Sequence, residues 1–154
     1  MLKLYKRVAD AIEYREAWIG GGGVVEHWGR CGTKGEVRQH LAVRGREDAV
    51  MDSFIEAAIA DGFAPLADED HHILLVQRPV DGFGTPADLE QRHALEDYLN
   101  EQLGWLGLGH CDGGSIGSGA MEAACPVVDF DIAAAALALE LAQSVFSDFT
   151  IVRE

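Results

Sequence analysis

Hydrophobic and polar positions along this chain follow two rhythms, and the shorter one returns after the longer one has ended. Leu2 to Val8 and Tyr14 to Ile19 set Tyr, Val, Trp and Ile in near-alternation with charged residues, as a strand with one buried face requires. The four consecutive glycines Gly20 to Gly23 tolerate any turn geometry, so Val24 to Trp28 is expected to return as the second arm of a hairpin. Gly29, Gly32 and Gly35 break the pattern, and Val37 to Val43 reads as a further strand. Past Gly45 the period lengthens. Val50, Met51, Phe54, Ile55, Ala58 and Ile59 fall at helical spacing, with Glu47, Asp48, Asp52 and Glu56 on the other face. Gly62 suits the position after the helix, and Pro65 prevents its continuation.

Ala67 to Asp70 is a short acidic link, beyond which the strand rhythm starts again. Ile73 to Val76 is an apolar strand, and Asp81-Gly82 with Gly84 forms a loop. Thr85-Pro86-Ala87-Asp88 predicts a helix start, with Thr85 as N-cap, Pro86 in the first turn and an acid at the third position. Leu89, Leu95, Tyr98, Leu99 and Leu103 supply that helix with an apolar face. Trp105 to Asp112 and Met121 to Asp129 read as two strands joined by the glycine-rich loop Gly113 to Gly119. Asp131 is expected to cap an alanine-rich helix reaching Phe146, and Phe149 to Val152 to close with a strand. The expected fold class is therefore α+β in two domains, residues 1–66 and 71–154. The second has the β-α-β-β-α-β order of the ferredoxin-like fold.

In the first half, Trp28-Gly29-Arg30-Cys31-Gly32-Thr33-Lys34-Gly35, with strands on both sides and an amphipathic helix ending at Gly62-Phe63, resembles the WGR family over about residues 1–66. The resemblance implies a small sheet crossed by one helix. It also implies a binding role for Trp28, as a stacking residue, and for Arg30, as a contact to phosphate or to another domain, with Lys34 as a supporting charge. In DNA-binding members of the family the helix before the final Gly-aromatic pair is rich in lysine. Here residues 47–61 hold five acids and no Lys or Arg.

Charge sharpens that difference. The net charge is −14, but residues 1–66 carry nine Lys/Arg against ten Asp/Glu, and residues 67–154 carry three against sixteen. Phosphate backbones are bound by Lys and Arg displacing counterions, so this balance argues against nucleic acid as the partner. Lys3, Lys6, Arg7, Asp10, Glu13, Arg15 and Glu16 leave no apolar core for a secretory signal. The most apolar run, Ile132 to Leu139, ends at Glu140 and reads as a core helix, so no membrane span is expected. Cys31, Cys111 and Cys125 have no CxxC spacing, which suits reduced thiols in a cytoplasmic protein.

Catalytic constellations are weak. The Gly113–Gly119 stretch has neither the Lys nor the following helix of a phosphate-binding loop. His71, His72, His110, Cys111 and Cys125 match no zinc spacing, and Ser115 and Ser118 sit in no nucleophile elbow. No cofactor, metal or enzymatic activity is expected. Two readings of function stay open. One is a protein-binding module resembling the acidic immunity proteins that neutralise basic bacterial toxins, docking through Glu96, Asp97, Glu101 and Asp112. The other is a WGR-type nucleic-acid or nucleotide binder using Trp28 and Arg30, with a regulatory acidic domain.

Overall fold

Leu2–Val8 (β1), Ala11–Gly20 (β2), Gly23–Arg30 (β3) and Glu36–Leu41 (β4) pair as consecutive antiparallel neighbours in the computed structural model, which describes residues 2–154. The turn between β2 and β3 needs the left-handed backbone that Gly21 and Gly22 supply, at φ +61° and +79°. One helix, Glu47–Ala60 (α1), crosses this sheet. Ala58 of α1, Leu4 of β1 and the following Phe63 form a buried cluster, with Ile55 packed against it. Gly62, at φ +93°, turns the chain out of the helix, as the sequence anticipates. Ile59, by contrast, is exposed and does not join the apolar face.

After a single 3-10 turn at Asp68–Asp70, a second sheet begins. Its strands are His72–Pro79 (β5), Gly114–Gly117 (β6), Ala120–Val127 (β7) and Thr150–Arg153 (β8), antiparallel throughout in the spatial order β6-β7-β5-β8. Pro86–Trp105 (α2) packs against β7 and Phe130–Ala142 (α3) against β5, with the two helices also touching. Buried Leu74 and Val76 alternate with less buried neighbours along β5, and Met121, Ala123, Cys125 and Val127 do so along β7. Leu95, Leu99 and Leu103 face them from α2, at helical spacing and fully buried. A fully buried leucine is worth about 1.5–3 kcal/mol relative to an exposed one. The chain thus divides into two units, Met1–Ala67 and Asp68–Glu154, each with its own sheet and core. Among the described residues no helix is long and apolar enough to cross a membrane.

Thr85 caps α2 as its sequence indicates. Its hydroxyl accepts from the Asp88 N–H, and Asp88 accepts from the Thr85 N–H in return. Three other expectations fail. Leu89 is exposed rather than part of the apolar face of α2. Trp105 closes the last turn of α2 instead of opening a strand, and the segment that follows is irregular. That segment does run beside β7. Val128 N–H donates to Leu108 O, Asp112 N–H to Ala124 O, and Ala124 N–H to Gly113 O. Gly109 and Gly113, at φ +149° and +100°, break the regular ladder between these bonds. Regular pairing starts only inside the glycine-rich stretch, where β6 forms and turns at Ser118-Gly119 into β7.

The third correction concerns the cap of α3. Asp129, in extended conformation, accepts from the Ile132 N–H at 3.0 Å, so Asp129 and not Asp131 is the N-cap, and the helix stops at Ala142 rather than Phe146. Asp131 sits in the first turn and meets Arg153 at the surface, 3.2 Å away. Removing a cap costs about 1 kcal/mol, whereas an exposed ion pair contributes at most a few tenths. Asp129→Ala will therefore lower the urea midpoint of the second unit clearly, and Asp131→Ala will scarcely move it. Equal losses for the two would count against this assignment.

Candidate functional site

Successive side chains on a strand face opposite ways, so His27 and Trp28 look out from opposite faces of the first sheet. Tyr14, Glu16 and His27 share one face, since β2 and β3 pair Glu16 with His27 and Tyr14 with Gly29. The loop after Trp28 folds back over that face. His27 Nε2 lies 2.7 Å from the Lys34 carbonyl oxygen and 3.0 Å from Tyr14 Oη, and Tyr14 Oη–H donates to the Thr33 carbonyl at 2.9 Å. A carbonyl can only accept, so Nε2 carries a proton. On the other side of the ring, Nδ1 is 2.7 Å from Glu16 Oε1, and Glu16 Oε2 meets Lys3 Nζ at 3.4 Å.

This chain of polar groups lies inside the protein, with Tyr14 and His27 fully buried and Glu16 nearly so. Burial pulls Lys3 below the usual lysine range, opposed by the Glu16 carboxylate beside it. Burial pushes Tyr14 upward, and Glu16 adds to the effect. The sequence reading missed all four residues. Alternation from Ile12 through Tyr14 to Glu16 was the available signal, because it places a carboxylate on the same face as two core residues. The glycines of the motif are explained by the same closure. At Gly35, φ is +62° and a Cβ would collide with the Trp28 carbonyl and the Tyr14 hydroxyl, while a Cβ on Gly29 would stand 2.7 Å from the Gly35 Cα.

The residues chosen from the motif lie elsewhere. Trp28 is half-buried on the face that carries α1, with the Arg38 guanidinium 5.5 Å from its ring centroid. Arg30, at the end of β3, is exposed. The Lys34 side chain is also exposed, and it is the Lys34 carbonyl that the fold uses. Arg30, Lys34, Arg38, Arg44 and Arg46 are all exposed between positions 30 and 46, where Glu36 is the one acid.

In the second unit the four acidic candidates separate. Glu96 is half-buried and 3.3 Å from Arg92, whose guanidinium also donates to the Gly114 carbonyl, so Glu96 helps hold α2 to β6. Asp97 and Glu101 are exposed on α2, and Asp112 is exposed in the loop before β6. Each of the three arginines of this unit is engaged by acids of the same unit. Arg78 meets Asp88 at 2.8 Å and Asp148 at 3.3 Å, Arg92 meets Glu96, and Arg153 meets Asp131. The Thr85 N–H, then its hydroxyl, and then Arg78 hold Asp88 below the usual carboxylate range. Asp97, Glu101 and Asp112 have no cation of their own unit within ion-pair distance among the described residues.

Cys111 and Cys125 are buried free thiols, and the Cys111 thiol donates to the Gly113 carbonyl at 3.6 Å; the influence of each thiol on the other lowers Cys111 and raises Cys125. No group of three or more His, Cys, Asp or Glu among the described residues is placed to hold a metal ion. Comparison with known protein families, curated proteins and solved structures finds no match to this chain.

Two outcomes are expected from this geometry. Gly35→Ala forces both a steric clash and a left-handed backbone on alanine, and will destabilise the first unit by more than about 2 kcal/mol. Gly45→Ala shares the positive φ, +88°, but meets open space, and will cost about 1 kcal/mol in the same urea titration. Second, the raised pKa of Tyr14 means the native state keeps a proton that the unfolded chain releases near pH 10.0. Its contribution is complete below that pH and is lost as pH rises toward the native value. Tyr14→Phe will flatten the alkaline fall of unfolding free energy, and an unchanged slope would disprove the assignment.

Proposed function

We propose that this chain is a non-catalytic binding protein of the bacterial cytoplasm that docks onto a basic protein through its acidic second domain. Residues 1–66 are read as a WGR-like domain and residues 71–154 as a ferredoxin-like domain. The sheet order β6-β7-β5-β8 with two helices supports the second assignment. The strand meander crossed by one helix, with the motif's glycines closing its loop, supports the first. The observation that carries the docking reading is the arrangement of charge: all three arginines of the second unit are engaged internally, leaving Asp97, Glu101 and Asp112 exposed. Such a surface steers a cationic protein into contact and rejects anionic ones. A toxin-neutralising immunity protein is the class this description suits.

A second reading is favoured by one observation, the exposed Arg38 guanidinium beside the indole of Trp28, in a segment where Arg30 and Lys34 are also exposed. In that reading the face holds a nucleic acid or nucleotide, with Trp28 stacking and Arg30 on phosphate. A base stacking there has to displace the Arg38 guanidinium, and the acids of α1 oppose a phosphate backbone.

Association kinetics distinguish the two. With a basic partner isolated by affinity capture, Asp97→Lys combined with Glu101→Lys will slow association about tenfold at low salt, with little change in dissociation. The circular dichroism spectrum will stay as in the parent. Rates indifferent to both salt and charge reversal would remove the docking proposal. Fluorescence anisotropy with a nicked DNA duplex at physiological salt is expected to register no binding. Salt-sensitive binding abolished by Trp28→Ala and Arg30→Ala would put the second reading first.

A further inference from the structure

Of the four edge strands among the described residues, β4 is the longest that no further segment bridges. β1 exchanges hydrogen bonds with the segment after α1, Tyr5 N–H to Ala64 O and Ala64 N–H to Tyr5 O, at 2.8 and 2.9 Å. β6 and β8 span four residues each. β4 spans six, Glu36–Leu41, and contains no proline, lysine or bulge of the kind that blunts exposed edges.

Its backbone phase is set by β3. Ala42 N–H donates to Gly22 O, and the register places Leu41 opposite Gly23. In an antiparallel ladder hydrogen-bonded pairs recur at every second residue, so Glu36, Arg38 and His40 turn their N–H and C=O groups toward β3. Val37, Gln39 and Leu41 turn theirs outward. The side chains of these three also share one face, where Val37 is 52% and Leu41 84% exposed.

We propose that β4 is a self-pairing edge, across which a second copy of this chain docks antiparallel about a two-fold axis at Gln39. Matching outward groups to outward groups leaves two registers that pair most of the strand, with the axis at Arg38 or at Gln39. The first stacks Arg38 on Arg38 of the second copy and sets Val37 against Gln39. The second sets Val37 against Leu41 twice, covering the exposed apolar side chains of the strand with one another, and places Glu36 diagonal to His40 of the second copy. Apolar cross-strand pairs and avoided like-charge contact both select Gln39. Charge also favours the first unit for self-association, because residues 1–66 carry a net charge of −1 and residues 67–154 carry −13. The pairing is independent of whether the acidic unit binds a basic protein. If it does, a dimer presents two such units to the partner.

Sedimentation velocity of the full chain over a concentration series reads the result directly. A reversible dimer is expected, tightening as salt screens the acidic units. Val37→Lys or Leu41→Lys will weaken it at least tenfold, while Val43→Lys, exposed beyond the end of the strand, leaves it unchanged. A hydrogen-bonded pair on the axis holds its Cα atoms about 5.5 Å apart, within disulfide reach. Gln39→Cys will therefore cross-link the dimer in oxidised glutathione, and Arg38→Cys will not. A monomer at every concentration would overturn the proposal, as would a dimer indifferent to both lysine substitutions. Cross-linking through Arg38→Cys in place of Gln39→Cys would overturn the register on which it rests.

Discussion

The hydrogen bond from buried His27 to the Lys34 carbonyl is the contact on which the first unit depends. A loop laid over the face of the sheet opposite α1 carries peptide groups out of water, and each costs about 1–3 kcal/mol if it finds no partner there. Tyr14 and His27 supply those partners to Thr33 and Lys34, and Glu16 orients the imidazole from behind. Only glycine fits where the loop approaches the strand, at Gly29 and Gly35. Once the loop is closed, its exit fixes where β4 begins, and so fixes which strand of this sheet is left as the open edge. A motif that reads as a set of contacts for a ligand is therefore also a closure device, with Trp28 and Arg30 left on the opposite face.

Much of this was legible in the chain itself. Gly21, Gly22, Gly45 and Gly62 punctuate the first unit at places where the backbone turns left-handed, and Thr85, Pro86 and Asp88 open α2 as their chemistry requires. The failures share a cause. Trp105, Leu106 and Leu108 have the composition of a strand, but Trp105 finishes a helix whose period is already set by Leu95, Leu99 and Leu103. Gly114 to Gly117 has the composition of a loop, yet it pairs because β7 needs a neighbour. In both segments tertiary pairing overrides local preference. The site was less legible than the fold. His27 looks like a solvent-facing residue until the loop that bonds to it is in place, and a loop's path is not written in the periodicity of the strands. Glu96 likewise reads as one more surface acid, and only the position of Arg92 against β6 makes it structural.

The two units treat charge differently. In the first, cations and acids are nearly balanced, and Lys3 is drawn inward against buried Glu16. In the second, the few cations are consumed in fastening elements together, Arg78 between the start of α2 and Asp148, and Arg153 at the start of α3. What remains outside is almost purely anionic. The fastening and the acidity are linked, since an arginine engaged by two carboxylates cannot offset any others.

The order in which strands meet differs just as sharply. In the first sheet every strand pairs with its neighbour in the chain, so each hairpin can close as soon as its second arm exists. In the second, the central strand β5 waits for β7 and then for β8, with Leu74 finally opposite Arg153. Short-range pairing is fast and long-range pairing is slow, because the loop entropy must be lost before the contacts form. On a ribosome the first unit is thus able to fold while the second is still being made. The second stays an incomplete sheet, its apolar β5 uncovered along one side, until Thr150–Arg153 has left the exit tunnel. During that interval the high negative charge of the nascent segment opposes association between such chains, a consequence of the acidity that precedes the finished fold.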